Sequence, residues 1–385
     1  MEASTSRLAK SVLTNGHHAS GVKPTTAAQL PRPNPALWTT KDHRIYGAPS
    51  PDLILGPDDC IVHVRINGIC GSDLHFWKAG EIGTCIVDED YILGHEAAGE
   101  VFMAGSNVTH LKPGDPVAIE PGQPCEECHH CSIGEYNLCP DVAFSGAPPF
   151  HGSIRRYHVH RAKYLHKLPP TMTFTEGALL EPLSVVLHAF ERSPLRLGSP
   201  ALICGAGPIG LIALAAAKAS GAFPLVITDV DASRLEFAKQ FVPECETFLV
   251  PIQGLPVEHA TAIQKLFLGL GSVEPSIVYE CTGVQSSVHT AAFACRRGGE
   301  VMVIGVGRAV MDGLPFMHLS LAEIDLKFIN RYHHSWPFAI RLMQSGYVNL
   351  KPLVTHRFKL EEAVGALETA ADKTKTSVKI HIWDD

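Results

Sequence analysis

Two different patterns of hydrophobic and polar positions divide the chain. From Pro51 to about Leu168 the sequence reads as short β-segments broken by Gly and Pro, such as "CIVHVRINGIC", "AAGEVFMAG" and "DPVAIEPG". Their β-branched residues and alternating polarity predict a β-rich barrel or open sheet. From Pro200, apolar runs of strand length each precede a helical pattern, beginning with "PALICGAGPIGLIALAAAKASGA". This alternation predicts an α/β domain with a doubly wound parallel sheet.

The length and charge of the chain limit its organisation and its partners. At 385 residues the chain exceeds what one hydrophobic core usually supports, so we expect two domains, with the switch near Phe190 to Ser199. The formal net charge is -7 and no basic stripe appears, which argues against a nucleic-acid partner. There is no uncharged apolar run of about eighteen residues, so we expect a soluble protein that does not span a membrane.

The first 33 residues differ from the rest in composition. They are rich in Ser, Thr and Ala, carry four basic residues with Glu2 as the one acidic residue, and have no apolar core of signal-peptide length. Two interpretations remain open, a mitochondrial presequence and a disordered tail. We expect a disordered tail over residues 1–33 and a cytoplasmic protein.

Eleven cysteines are an odd number for a chain without a secretory signal, which makes a complete disulfide framework a poor explanation. Four of them follow the pattern CxxCxxCx7C, a spacing that lets three thiolates of a tight loop and a fourth from the returning chain meet at one tetrahedral ion. Four unrelated thiols are the alternative. We expect a closed structural zinc site at Cys125, Cys128, Cys131 and Cys139.

A glycine motif follows the first strand of the α/β region. GxGxxG stands between the strand "ALIC" and an Ala-rich helix, the context in which it binds a dinucleotide pyrophosphate. Asp229 ends the next strand, where its carboxylate would bind ribose hydroxyls and repel a 2′-phosphate, so NAD is favoured over NADP. Arg234 either contributes to this site or is a solvated helix residue. The expected cofactor residues are Gly205, Gly207, Pro208, Ile209, Gly210, Asp229 and Arg234.

Possible ligands of a second metal occur on separate segments. Cys70, the pair His95 and Glu96, and Glu181 in "LLEPLSV" form the mixed donor set of zinc sites that keep one position open. Their spacing does not establish that they meet. A buried thiol, a core histidine and surface carboxylates are the alternatives.

The order of these motifs identifies a family. "GICGSDLHFWKAG", "LGHEAAGEV", the four-cysteine loop, "LLEPLSV", "CGAGPIGL" and "ECTG" resemble medium-chain zinc-dependent alcohol dehydrogenases, specifically the polyol branch. The resemblance covers nearly all of the chain after residue 35. "HFWKAG", "IRRYHVH" and "INRYHHSWP" are most similar to fungal L-arabinitol 4-dehydrogenases and related sorbitol dehydrogenases.

The resemblance implies an architecture and an assembly. A β-rich GroES-like catalytic domain would comprise residues 34–190 and 336–385, and a Rossmann NAD-binding domain residues 191–335. Each chain would carry two zinc ions, one catalytic and one structural. Family members are commonly homotetramers, so a homotetramer is expected.

The resemblance also implies a chemistry. Cys70, His95 and Glu96 would hold the catalytic zinc, with Glu96 sometimes acting through water and Glu181 near the ion. Ser72 and His75 would carry the alcohol proton outward, and the substrate would contact Phe76, Arg331 and Tyr332 together with Glu181. The expected reaction is NAD-dependent oxidation of a sugar alcohol to a ketose, with L-arabinitol to L-xylulose the best assignment and sorbitol or xylitol the alternatives. A non-catalytic member of the fold is the competing class.

Overall fold

The computed structural model describes residues 27–372 and 374–385. These residues form two compact units, one of residues 27–181, 356–372 and 380–385, the other of residues 182–355 and 374–379. The expected domain limits were 190 and 336. The chain therefore re-enters the first unit at residue 356, about twenty residues later than the sequence pattern predicts.

Part of the expected N-terminal tail is ordered. Residues 1–26 lie outside the described residues, but residues 27–33 contact the first unit. The Ala28 N–H donates to the Leu53 carbonyl oxygen at 2.8 Å, and Leu30 packs against the cluster of Leu53, Ile61 and Tyr157. The expected disordered tail therefore does not extend over residues 27–33, because Ala28 and Leu30 pack against the core of the first unit.

The elements up to the end of the β-rich region are mostly short strands. They are β1 (Pro35–Thr39), β2 (Ile45–Pro49), β3 (Asp59–Gly68), α1 (Gly71–Lys78), β4 (Glu81–Ile82), β5 (Cys85–Ile86), β6 (Tyr91–Ile92), β7 (Glu96–Ala104), β8 (Pro116–Ile119), β9 (Gly122–Gln123), α2 (His129–Ser132), β10 (Ala143–Phe144), β11 (Tyr157–Arg161), β12 (Leu165–Lys167), α3 (Phe174–Ala178) and α4 (Leu180–Glu191).

The remaining elements alternate strand and helix before returning to the first sheet. They are β13 (Ala201–Cys204), α5 (Pro208–Ala219), β14 (Leu225–Asp229), α6 (Ala232–Phe241), β15 (Glu246–Leu249), α7 (Pro256–Gly269), β16 (Ile277–Glu280), α8 (Gln285–Ala294), β17 (Glu300–Val303), α9 (Phe316–Leu321), β18 (Asp325–Phe328), α10 (Trp336–Gln344), β19 (Val354–Lys359), α11 (Ala363–Ala371) and β20 (Lys379–Trp383). Short 3₁₀ turns cover Tyr136–Leu138, Ala162–Tyr164, Lys351–Leu353 and Leu360–Glu362.

The first unit is built around an antiparallel sheet in the order β12–β8–β7–β3–β20–β19, with β11 also pairing with β3. Strand β3 lies at its centre, and apolar residues on both of its faces are buried. Cys60, Val62 and Val64 pack in one core with Val101 and Val117. The end of β3 pairs with the start of β7, placing Gly68 opposite Glu96. This register brings two chemically important segments side by side.

The second unit contains six parallel strands in the order β15–β14–β13–β16–β17–β18, which confirms the predicted doubly wound sheet. Every residue of β13, β16 and β17 is buried, as the continuous apolar runs predicted. The strand order reverses between β13 and β16. In open α/β sheets, ligands bind at the carboxyl ends of the strands at such a reversal.

Among the described residues, no helix combines the length and the apolar character needed to cross a membrane.

Candidate active site

Asp73 joins the two segments that carry the candidate catalytic metal ligands. Cys70 precedes the first residue of α1, and its backbone N–H donates to Asp73 Oδ2 at 2.9 Å. The other carboxylate oxygen accepts from the N–H of Gly94 at 3.1 Å, next to His95. Asp73 is completely buried. An acidic residue at the third position of a helix commonly accepts a hydrogen bond from the residue that caps the helix. The stretch "CGSD" therefore predicts the bond from Cys70, but no local pattern predicts the bond from Gly94.

Cys70, His95 and Glu96 meet in this unit. One donor atom from each lies within 4.8 Å of the other two. Glu96 begins β7 opposite Gly68, and a Cβ atom at residue 68 would collide with the Glu96 carboxylate. A glycine at this position therefore leaves room for the acid.

The charge around His95 is that of a cation site. Burial opposes a charge on this imidazole, yet the negative charges of Cys70 and Asp73, with a contribution from Glu181, raise its pKa to about 10. A thiol, an imidazole and a carboxylate, close together and in a negative environment, fit a zinc ion with an open position.

Glu181 and Ser72 lie near these ligands without belonging to the set. Glu181 is 5% exposed in the first turn of α4, and it is not among the donor atoms that meet within 4.8 Å. Ser72 Oγ lies 3.3 Å from His95 Nε2. His75, three residues further on α1, is exposed to solvent. A serine beside the ligands and a histidine in water are suited to passing a proton outward.

Phe76 is a core residue. It is 4% exposed, and its ring meets the Tyr91 ring edge-on with centroids 6.0 Å apart. Phe76 therefore packs in the core, and its contact with substrate stays a prediction.

The four-cysteine loop has the dimensions of a tetrahedral metal site. Donor atoms of Cys125, Cys128, Cys131 and Cys139 all lie within 4.8 Å of one another. The sulfur of Cys131 is 3.5 Å from that of Cys128 and 3.9 Å from that of Cys125. Four sulfurs bound to one zinc ion at about 2.3 Å in a tetrahedron lie about 3.8 Å apart, so these distances fit such a site. Backbone N–H groups of Glu127 and Cys128 lower the pKa of Cys125 to about 7, favouring the thiolate that binds metal.

Two carboxylates hold this loop against the sheet. The buried Glu120 accepts from Tyr136 Oη at 2.7 Å and contacts His166 Nε2 at 2.6 Å. Glu126 accepts from Lys163 Nζ at 2.7 Å and Tyr164 Oη at 2.8 Å. The sequence motif predicted the cysteines but not these anchors, because their partners are 16 to 46 residues away.

The glycine motif forms the expected turn in the second unit. Gly205 has φ 100°, and a Cβ at Gly210 would collide with the Gly205 carbonyl oxygen. At Gly207, the residue that caps α5, a Cβ would meet nothing within 4 Å, so space is open beside the backbone. Pro208 and Ile209 begin α5. The N-terminus of α5 thus faces an open space, as an anion site requires.

Asp229 is tied to the glycine turn. Its Oδ2 accepts from the Ala206 N–H at 2.7 Å, and its Oδ1 accepts from the Asp231 N–H at 3.0 Å. Arg234 is half-exposed, with its guanidinium 4.0 Å from Asp229 and 3.9 Å from Asp231. The arginine therefore partly neutralises these carboxylates.

Arg331 and Tyr332 follow β18 in the second unit, whereas Cys70, His95, Glu96 and Glu181 belong to the first. Arg331 is half-buried and has φ 54°. Tyr332 is 3% exposed, and its ring packs edge-on against Trp336 with centroids 5.9 Å apart.

Two family models match the chain. Alcohol dehydrogenase GroES-like domain matches residues 56–170, and Zinc-binding dehydrogenase matches residues 208–345. L-arabinitol 4-dehydrogenase of Aspergillus oryzae is 49% identical over 373 residues, covering 94% of this chain and 97% of that protein. Sorbitol dehydrogenase of Mus musculus is 46% identical over 345 residues, covering 89% and 93%. The solved structure of L-idonate 5-dehydrogenase from Escherichia coli has a TM-score of 0.81 at 26% identity, covering 91% and 98%.

The chain belongs to the zinc-binding dehydrogenases that carry an alcohol dehydrogenase GroES-like domain. It is an oxidoreductase that combines zinc with a nicotinamide dinucleotide, which confirms the family and the class of enzyme expected from the sequence motifs.

Proposed function

We propose that the enzyme oxidises a secondary hydroxyl group of a sugar alcohol to a ketone with NAD⁺, and that L-arabinitol, oxidised to L-xylulose, is its substrate. The main support for this proposal is the metal-binding geometry of Cys70, His95 and Glu96, whose donor atoms lie within 4.8 Å of one another. The substrate is proposed because the chain is 49% identical to L-arabinitol 4-dehydrogenase of Aspergillus oryzae. The open-chain polyols that these relatives are named for carry several hydroxyls, which require polar partners in the site.

The residues divide the work between the two units. Cys70, His95 and Glu96 would hold zinc, with Glu181 near these ligands and Asp73 orienting the ligand segments. Bound zinc supplies a Lewis acid that lowers the pKa of an alcohol oxygen. Ser72 receives the hydroxyl proton, and His75 passes it outward through the cofactor ribose. Cys125, Cys128, Cys131 and Cys139 would hold the second zinc in a closed site whose four positions are all taken by protein sulfur atoms.

The glycine turn of the second unit would hold the cofactor. Gly205, Gly207 and Gly210, with Pro208 and Ile209 at the start of α5, receive its pyrophosphate, while Asp229 accepts hydrogen bonds from the adenosine ribose and excludes NADP. Arg331, Tyr332 and Glu181 bind substrate hydroxyls.

Steady-state kinetics with L-arabinitol, xylitol, sorbitol and galactitol under NAD⁺ test the proposal. We expect the highest kcat/KM with L-arabinitol. Turnover of none of the four polyols would contradict polyol oxidation itself, whereas a preference for another polyol would contradict the substrate assignment alone.

Sorbitol is the second candidate substrate, because sorbitol dehydrogenase of Mus musculus is 46% identical over 89% of this chain. The same four polyols separate the candidates. A kcat/KM for sorbitol above that for L-arabinitol would favour sorbitol as the substrate. Xylitol remains the further alternative.

We propose further that the enzyme is a cytoplasmic homotetramer. Strand β18 lies at one edge of the parallel sheet, and its Phe328, together with Val310, Phe316, Met317 and Leu321, exposes apolar surface that a second copy would cover. Light scattering measures the mass directly. A monomer at micromolar concentration would contradict this assembly, and a fluorescent fusion in mitochondria would contradict the compartment.

A further inference from the structure

A strained segment follows the last strand of the parallel sheet. Within the four residues 331–334, Arg331 has φ 54° and His334 has φ 52°. Residues with side chains rarely adopt these left-handed angles, and they persist only where the surrounding structure imposes them. Such strain commonly accompanies binding and catalytic residues. The contacts of the two residues between them, Tyr332 and His333, therefore contribute to holding the segment that carries Arg331.

Two ring contacts hold the segment at its centre. The Tyr332 ring packs on Trp336, the first residue of α10, with an interplanar angle of 72°. The His333 ring meets His188 of α4, with centroids 4.8 Å apart and an interplanar angle of 70°. The first contact is local in sequence, whereas the second fixes the segment to a distant helix. His188 thus gives the segment a long-range aromatic contact.

His188 makes this contact as a buried, neutral ring. It is 1% exposed, and neither ring nitrogen has a hydrogen-bond partner within the described part of the chain. Burial, together with the nearby His333 and Arg192, lowers its pKa to about 4, so the ring carries no charge near neutral pH. A buried imidazole without protein hydrogen bonds holds its neighbour through ring packing, and edge-to-face geometry is the favoured arrangement for such a pair.

We propose that His188 is a positioning residue for the substrate: by packing on His333 it holds residues 331–334 in the strained conformation that presents Arg331 to the hydroxyl groups of the polyol. This inference rests on the proposed function, in which Arg331 binds substrate. In this proposal His188 acts through its ring contact with His333 and does not itself bind the polyol or the cofactor.

The substitutions His188→Ala, His188→Phe and Phe190→Ala separate this role from general stability. Phe190 lies on the same helix, and its ring stacks on Tyr279 of β16 with centroids 4.4 Å apart. We expect His188→Ala to raise KM for the polyol about tenfold while kcat and the NADH dissociation constant stay within about twofold, the signature of lost substrate binding. His188→Phe retains a ring and should restore KM to within about threefold of wild type. Phe190→Ala should lower the unfolding midpoint without raising KM.

Amide hydrogen exchange gives a second measurement that needs no substrate. Amides of residues 330–335 should exchange faster in His188→Ala than in wild type, and should remain protected in His188→Phe and Phe190→Ala. Unchanged exchange in His188→Ala would overturn the positioning role. An unchanged KM, an equal rise in Phe190→Ala, or a His188→Phe variant as impaired as His188→Ala would also overturn it. If wild type oxidises no polyol, the proposed function fails, while the exchange rates still decide whether His188 holds the segment.

Discussion

Asp73 accepts a hydrogen bond from the backbone N–H of Cys70 at 2.9 Å, and this bond couples the candidate zinc thiolate to a buried carboxylate. The other oxygen of the same carboxylate holds the N–H of Gly94 at 3.1 Å, beside His95. Two ligand segments far apart in sequence are therefore fixed by one side chain. Groups in this outer position usually matter nearly as much as the ligands they orient.

Replacing Asp73 by Ala should weaken zinc binding at the candidate catalytic site by about 10- to 100-fold, because the ligand segments lose their common anchor. The measurement is zinc retained after dialysis against graded chelator. Asp115→Asn is the matched control, since Asp115 is also buried and bonds the Lys112 N–H at 3.0 Å, but in a loop without metal ligands. Equal zinc retention by Asp73→Ala and the control would contradict the role of Asp73.

Replacing Asp229 by Ser should relax the preference for NAD over NADP, because it removes the charge that repels a 2′-phosphate. We expect the ratio of kcat/KM for the two cofactors to fall at least about tenfold. Asp231→Ser is the control: Asp231 accepts from the Ser233 N–H at 2.8 Å at the start of α6, and serine also caps helices well. An unchanged ratio in Asp229→Ser would mean that this carboxylate does not meet the ribose.

Replacing Glu280 by Gln should weaken NADH binding about tenfold, or about 1.4 kcal/mol. The buried Glu280 carboxylate accepts from the Thr282 N–H at 3.0 Å, the Gly283 N–H at 2.9 Å and the Ser287 hydroxyl at 2.8 Å. Thr282 in turn packs against Gly205, where a Cβ would collide with its methyl group. An amide in place of the carboxylate turns an NH₂ group towards these donors and loosens the turn beside the glycine motif.

Glu300→Gln is the control for Glu280→Gln. Glu300 is also buried, but it lies at the opposite end of the same sheet, where it contacts Lys327. We expect this variant to lose stability and to keep its NADH affinity, measured by fluorescence titration. If both variants lost NADH affinity equally, the effect would come from destabilising the sheet.

Replacing Asp384 by Asn should destabilise the first unit by about 2 kcal/mol at pH 7, the usual cost of losing hydrogen bonds to a charged group. Arg156 donates to both oxygens of Asp384 at 2.9 Å, and His63 Nε2 lies 2.7 Å from Oδ2. Burial opposes the charge on Asp384, but Arg156 and His63 outweigh it and lower its pKa below the ordinary value.

The stability difference between wild type and Asp384→Asn should depend on pH, because the pKa of Asp384 is lowered in the folded state. The stabilisation is complete above the ordinary aspartate pKa of about 3.9, and it is lost as the pH falls through the lower pKa of the folded state. Urea unfolding should therefore give a constant difference in the free energy of unfolding between wild type and Asp384→Asn from pH 7 to about pH 5. This difference should narrow below about pH 4. A difference that widened on acidification would contradict a stabilising ion pair between Asp384 and Arg156.

Local patterns in the sequence predicted much of this molecule. The cysteine spacing, the glycine motif and the apolar strands each depend on residues a few positions apart, and each forms as expected in the fold. The pairing of Asp73 with Gly94, the anchoring of Tyr136 by Glu120 and the contact between His188 and His333 join distant segments. Such contacts depend on tertiary packing and leave no periodic signal.

The differences between expectation and structure have the same origin. Residues 336–355 carry a helical pattern that fits either unit, and only their packing assigns them to the second. The sequence predicts substrate contacts for Tyr332 and Phe76, and the fold adds a buried ring contact to each, with Trp336 and Tyr91, which the sequence did not predict. Sequence alone does not separate a core aromatic residue from one that lines a site.

The most direct test of the central claim is an anomalous difference map recorded at the zinc absorption edge from crystals of the purified enzyme. We expect two peaks per chain, one inside the four-cysteine loop and one about 2.3 Å from Cys70 Sγ and within bonding distance of His95. A single peak confined to Cys125, Cys128, Cys131 and Cys139, from zinc-replete protein that oxidises a polyol, would contradict a catalytic zinc at Cys70.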